Sequence, residues 1–422
     1  MPPETKPIPV PMTDGKDARE WLEAHGLVAR QPAIRSSDYE SVLHCPFQYY
    51  LSRRLGLVQA LRWSQALSRG SWFHKAFEYH SLSPLDRSKE MEIQYEEREK
   101  ELSDICNVRG IKGESKSNIL EREYQDMLCA LAWFEASMNL PIFSTNSTQG
   151  ETFLEKIRKD HWKVLGTEIV AEYNHAEFGR MLAQFDMLLY HKKQNSVWIV
   201  DLKTTAHNPI ERLQTCPIEF QTQHYTHILK WLLEEGVLTK PFDIPRDARL
   251  GGMWHVAVQK PTIEFGMNDR DCEEHEHELK RGPRKGQIET RRKYHGEPKI
   301  ENYIERCNRW YRGEGEYEDK KPERQTAPPI NISKTDRSTL DTRWTTEYTR
   351  RLRLLHSYAV ADPAPINFPK SASYLMQFGK MSPFSPFYLT PASQWPGIVS
   401  TEGFMVEDRD DVQVGVSDTV GG

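Results

Sequence analysis

Two aspartates and a lysine carry the most chemistry in this chain. Asp186 lies in the run FGRMLAQFDMLLY, and Asp201 and Lys203 lie in SVWIVDLKTT; Lys192-Lys193-Gln194-Asn195 separates the two. If those four residues turn a hairpin, Tyr190 falls opposite Val197, Leu188 opposite Ile199, Asp186 opposite Asp201 and Gln184 opposite Lys203. Side chains alternate along a strand, so Asp201 and Lys203 share a face. Two carboxylates placed opposite each other repel by up to about 1 kcal/mol. A divalent cation relieves that repulsion, because hard cations take carboxylate oxygens and keep several waters. Lys203 beside such a site would hold an attacking water or stabilise charge developing on a phosphate. In the other reading one aspartate ends its strand and the second is solvated, and the pair alone does not choose between them.

The neighbouring segments must position these residues. VLGTEIVAEY is a third β-rich run, and GGMWHVAVQ reads as a strand further on. A helix predicted from Gln65 to Tyr79 carries Gly70 and, one turn later, His74. Another, from Ile218 to Leu233, presents Gln221 and Tyr225 on one face through their i,i+4 spacing. Taken singly, His74 reads as a packed histidine and the Gln221/Tyr225 pair as ordinary helix surface. Ser36, Ser37 and Asp38 offer caps for a helix in the aromatic stretch from Tyr39 to Leu51. Residues 85–125 are charge-dense and suggest an exposed helical excursion, followed by a more apolar helix from Glu121 to Leu140. Beyond Lys260 the hydrophobic pattern lapses, then returns in helices near Ile300–Tyr311 and Thr339–Tyr358.

Composition limits the class. With Lys+Arg 56 against Asp+Glu 61, the net charge of −5 gives no global attraction for a polyanion, so any such site must be local. Hydrophobic types make up only 38% of the 422 residues, yet aromatics reach 10%, which points to a packed core with solvated additions. No run approaches the ~20 apolar residues of a membrane span. The proline-rich start, MPPETKPIPVPM, lacks the apolar core of a signal peptide, and residues 1–33 read as a disordered arm. The six cysteines contain no closely spaced pair, which suggests free thiols in a reducing cytoplasm.

In order along the chain, Gly70 with His74, Asp186, Asp201-Leu202-Lys203-Thr204, and Gln221 with Tyr225 resemble the motifs of the PD-(D/E)XK nuclease superfamily, in its RecB-like branch. Cys45-Pro46-Phe47-Gln48-Tyr49 also looks like an N-terminal motif of the AddB-like and CRISPR-associated relatives. The resemblance spans roughly residues 34–262, with a helical insertion at about 85–160 and an accessory, partly flexible region at 263–422. It implies an α/β, restriction-endonuclease-like core, a central mixed β-sheet flanked by helices. It also implies Mg²⁺- or Mn²⁺-dependent hydrolysis of DNA phosphodiesters, by an exonuclease or endonuclease serving recombination, repair or phage DNA processing. Carried over, His74, Asp186, Asp201 and the Leu202 carbonyl would be metal ligands. Lys203 would position and activate water, and Gln221 and Tyr225 would orient the site or the DNA. Glu168 or Glu172 would add a further carboxylate. The alternative is a catalytically inactive nuclease-fold subunit that binds or scaffolds DNA.

The chain departs from some relatives in two respects. Several hold an iron–sulfur cluster on four cysteines, but here no cysteine follows Cys307, so no cluster is expected and Cys45 reads as a small packed residue. No Walker motif is present, so DNA unwinding would need a separate helicase or recombination protein. A basic segment of Lys280, Arg281, Arg284, Lys285, Arg291, Arg292 and Lys293 would contact DNA phosphates or remain a solvated loop.

Overall fold

The computed structural model describes residues 16–59, 65–141, 151–206, 208–278, 288–317, 330–336, 344–371, 376–377, 380–382, 384–401, 404–406 and 416–417. Its centre is a sheet of β1 (Trp162–His175), β2 (Gly179–His191), β3 (Ser196–Thr205), β4 (Arg249–Gln259), β5 (Ile330–Asp336) and the two-residue β6 (Val416–Ser417). The spatial order is β6-β1-β2-β3-β4-β5. β1, β2 and β3 form an antiparallel meander, β4 lies parallel to β3, and β5 closes the edge antiparallel to β4. The sheet is therefore mixed. From Ser196 to Leu202 β3 is buried on both faces, which explains why Val197–Val200 is an unbroken apolar run rather than an alternating one.

Helices pack around it, among them α1 (Ser36–His44), α2 (Gln65–Glu78), α3 (Pro84–Val108), α4 (Glu114–Met138), α5 (Phe220–Glu235), α6 (Ile300–Arg312) and α7 (Trp344–Ala359). Tyr39 of α1, Phe220 and Ile228 of α5 and Leu352 of α7 join one core with Leu188 and Ile199 of the sheet. Phe73 of α2, Phe134 of α4 and Trp310 of α6 join the other, with Leu189 and Val200. This is the α/β arrangement of a central mixed sheet flanked by helices.

Three segments behave differently from the sequence expectation. Residues 16–33 are not part of a disordered arm: helix Lys16–Ala24 buries Ala18 and Leu22 in the first core. The excursion expected over 85–125 is not wholly exposed, because α3 buries Arg87, Met91, Leu102 and Cys106; the more apolar helix expected after it is α4, buried from Met127 to Met138 with partners on α2 and α6. The C-terminal region is no separate accessory, since β5 completes the sheet and α6 and α7 each fill a core. Among the described residues, no helix is long and apolar enough to cross a membrane.

Residues near the N-terminus are held by distant ones. A π-helical turn, Tyr50–Arg54, buries two adjacent arginines. Arg53 pairs with Asp38 at 2.8 Å, and Arg54 donates to the Tyr358, Ala359 and Ala361 carbonyls at the end of α7. Cys45 Sγ lies 2.6 Å from Tyr388 Oη in the buried interior. Phe47 packs edge-on against Tyr388 and Trp395, and Tyr50 stacks on Phe368. Trp395 is fully buried here. Trp395→Ala is expected to destabilise the protein by about 3–5 kcal/mol, measured as a lowered urea midpoint.

Candidate active site

The hairpin of β2 and β3 keeps the expected register over part of its length. Tyr190 pairs with Val197 and Leu188 with Ile199, but the ladder ends at Met187 and Val200. Asp186 and Asp201 therefore flank a fork and are not ladder partners. The two-residue alternation of β2 slips by one here: Met181, Ala183 and Phe185 share a core with Leu188 and Tyr190. The Leu202 N–H donates to Asp186 Oδ2 at 2.6 Å, replacing a backbone acceptor. Beyond the fork another segment takes over the edge of β2, where Ile34 bridges Met181 in parallel and the Leu182 N–H donates to the Ile34 carbonyl.

On the other side of β2, Thr167 pairs with Met187 and Ile169 with Phe185, leaving Glu168 facing Asp186. Glu168 has a left-handed backbone, φ 49°, a conformation that costs a non-glycine residue and is kept only where its surroundings enforce it. α2 brings His74 to the same place. Arg69 fixes that helix, pairing with Asp126 of α4 at 2.7 Å and with Glu264 at 2.5 Å, while Trp72 Nε1 donates to Glu123 Oε1. A Cβ on Gly70 would stand 3.6 Å from Thr204 Oγ1, so α2 rests close on β3 at this turn.

His74 Nδ1 lies 3.3 Å from Asp186 Oδ1 and 3.6 Å from Glu168 Oε1. Ligand atoms of the three residues all lie within 4.8 Å of one another. Glu168 Oε2 accepts from Gln184 Nε2 at 2.7 Å, whereas Glu168 Oε1 is buried without a hydrogen-bond partner. One imidazole nitrogen, two carboxylates and an unsatisfied buried oxygen suit a divalent cation, which would supply the missing positive charge. Burial alone would lower the His74 pKa, but the Asp186 and Glu168 carboxylates outweigh it and push the imidazole up to about 10.

Asp201 belongs to an adjoining cluster. Its carboxylate is buried, with Lys203 Nζ 2.8 Å from Oδ1 and Gln221 Nε2 donating to Oδ1 at 3.3 Å. His255 on β4, paired with Asp201 in the parallel ladder, places Nδ1 3.2 Å from Oδ2. Burial opposes the charge on Asp201, yet the Lys203 ammonium and His255 bring its pKa down to about 2. An ionised carboxylate only accepts, so His255 carries its proton on Nδ1. Burial likewise disfavours the Lys203 ammonium, but Asp201 and Asp186 raise its pKa above the ordinary value. Lys203 also donates to Gln221 Oε1 at 2.9 Å. Tyr225 is buried, and its phenol is raised by burial and by Asp186, so it stays protonated.

The structure thus brings His74 and Asp186 together with Glu168, and sets Asp201, Lys203 and Gln221 beside them. A cleft of about 670 Å³ contains His74, Glu168, Asp186, Leu202, Lys203 and Tyr225 in its wall. A second, of about 630 Å³, lies toward α1 and is lined by Arg35, Ser36, Gln221 and Tyr225; Gln184 and Tyr225 border both. Lys280, Arg281, Arg284 and Lys285 lie outside the described residues, while Arg291, Arg292 and Lys293 fall opposite His275, Glu274 and Glu273 in a hairpin of Asp271–Glu278 and Ile288–His295. His255 was absent from the sequence reading. The available signal was a histidine within the apolar run GGMWHVAVQ.

Two outcomes are expected. Glu168→Gln weakens Mn²⁺ binding by at least the roughly 10–100-fold that loss of a ligand's supporting hydrogen bond costs a metal site, as read by calorimetry. Because His74 must shed its proton to bind metal, affinity rises with pH toward about 10 and binding releases a proton, seen by titration in buffers of different ionisation enthalpy. In metal-free protein the sign is opposite: the raised His74 contributes stability fully below its ordinary 6.5 and loses it as pH climbs toward about 10.

No curated protein matches the chain. The family model of the PD-(D/E)XK nuclease superfamily matches residues 36–326, more than half of the chain and a span that includes the fork and both clusters at it. The chain belongs to the PD-(D/E)XK nuclease superfamily.

Proposed function

We propose that this chain is a divalent-metal-dependent deoxyribonuclease of the RecB-like branch, an exonuclease acting in DNA recombination, repair or phage DNA processing. The convergence of His74, Glu168 and Asp186 at the fork, with a half-buried cationic lysine on the next strand, carries this reading. His74, Glu168 and Asp186 would hold Mg²⁺ or Mn²⁺, with Asp201 and the Leu202 carbonyl offering further oxygens. When bound, such an ion lowers the pKa of a water and neutralises charge on the phosphate. Lys203 keeps its proton, so it serves as a donor to the attacking water or to a phosphate oxygen and does not act as the base. Gln221 holds the Lys203 ammonium from one side and Asp201 from the other. Tyr225, at the boundary of the two clefts, keeps its phenolic proton and can donate to the substrate.

Clefts of this volume are on the scale of small-ligand pockets, which favours a single strand end over an intact duplex. That supports an exonuclease. Linear single-stranded, linear double-stranded and closed circular DNA, each with Mg²⁺ or Mn²⁺, test it. The linear substrates are expected to be degraded and the circle spared, with Asp201→Ala and Lys203→Ala each losing at least about 10²-fold in rate. Degradation that survives both substitutions would refute the mechanism, and a cut circle would make the enzyme an endonuclease.

A further inference from the structure

The far end of β2 carries a second charged feature that the fork does not use. At the β2–β3 turn a concavity of about 540 Å³ is lined by Arg158, Lys159, Asp160, His161, Lys192 and Lys193. It is a built surface: the Lys192 N–H donates to the His161 carbonyl, and the His161 and His191 rings lie 5.0 Å apart between centroids. Arg158 donates to the His80 carbonyl, and Lys159 pairs with Glu151 at 2.5 Å. Lys192 and Lys193 have no carboxylate within ion-pair range among the described residues, and both are exposed.

More cations stand close by. Lys334 of β5 lies over the Trp198 ring at 4.5 Å, and Lys156 over Trp254 at 5.4 Å. The crowding registers on its members. After burial, Lys159 and Lys334 depress Lys156 against the opposing pull of Glu151, and Lys193 and Lys334 add to the depression of His191. Repulsion of this kind is relieved by an anion. On a chain of net charge −5 it marks a local reversal of the field, where a polyanion would concentrate.

We propose that this basic pole is a second nucleic-acid contact, binding backbone phosphates of the DNA whose end enters the fork; the proposal rests on the nuclease reading. Asp186 and His191 are five residues apart on one strand, about 17 Å at the rise of a β-strand. That separation corresponds to about five nucleotides at 3.4 Å per strand step. The contact is sequence-independent, made by ammonium and guanidinium groups to phosphate oxygens. Its contribution therefore depends on substrate length.

Binding of a long duplex by Lys192→Gln/Lys193→Gln and by the unaltered chain, measured by fluorescence anisotropy over a series of salt concentrations, tests this. A second double variant, Lys89→Gln/Lys112→Gln, makes the same charge change on α3 and beside α4, away from the pole. Loss of two phosphate contacts lowers the slope of log affinity against log salt by about two. The control variant keeps the original slope, and cleavage of a tetranucleotide, too short to reach the pole, keeps its rate. A slope unchanged by the pole variant, or changed equally by the control, overturns the pole while leaving the nuclease reading intact. Equal loss on tetranucleotide and duplex also overturns it. A chain that neither binds nor cleaves DNA overturns both.

Discussion

One hydrogen bond decides the form of this site. A buried backbone N–H must find an acceptor, and leaving one unpaired costs about 1–3 kcal/mol. At Leu202 the acceptor is a side chain, Asp186 Oδ2, in place of a main-chain carbonyl. That substitution allows β3 to part from β2 without stranding its backbone. The edge β2 loses is taken up by the Ile34 segment, so the backbone of β2 at Arg180 and Leu182 stays paired beyond the fork. Into this gap α2 reaches from one face of the sheet and α5 from the other. Asp186 thus has two tasks: one oxygen holds the fork open and the other faces His74.

The electrostatics divide along the same line. Five charged groups with opposing needs, His74 among them, are buried or half-buried within two adjoining clusters. Asp201 and Lys203 neutralise each other, and Gln221 and His255 add further hydrogen bonds to the pair. Asp186 and Glu168 have only one imidazole between them, and Glu168 Oε1 accepts no hydrogen bond. One cluster is internally charge-balanced. The other is short of positive charge, which is the condition a cation site must satisfy before its ion arrives.

Much of this was legible in the sequence, and the failures have physical causes. The hairpin register followed from period-two patterning around a polar turn, and Tyr190 and Val197 do pair. The fork could not be read, because it depends on a side chain entering the ladder, and hydrophobic patterning carries no trace of that. Glu168 was only a weak candidate, one of two acidic residues on β1; its left-handed backbone, which sets it apart, is not encoded in any residue preference. His255 was hidden in an apolar strand, since its role arises from a parallel neighbour some fifty residues away. β5 was missed for another reason: INISKTD offers little hydrophobic pattern, and it becomes a strand because β4 leaves an edge to cover.

The buried pairing of Cys45 with Tyr388 closes a loop of 343 positions, and Trp395 packs beside it. Contacts of such sequence separation form late, since most of the loop-closure entropy must be lost before they reward the chain. During vectorial synthesis, the helices around Cys45 would emerge long before their aromatic partners exist. The segment just before α1, which bounds the fork through Ile34, belongs to the same early stretch. Its core stays incomplete until the ribosome has passed residue 395. The walls of the fork therefore settle only after residue 395 has left the ribosome, and until then the nascent chain carries the acidic and basic residues of the two clusters unassembled.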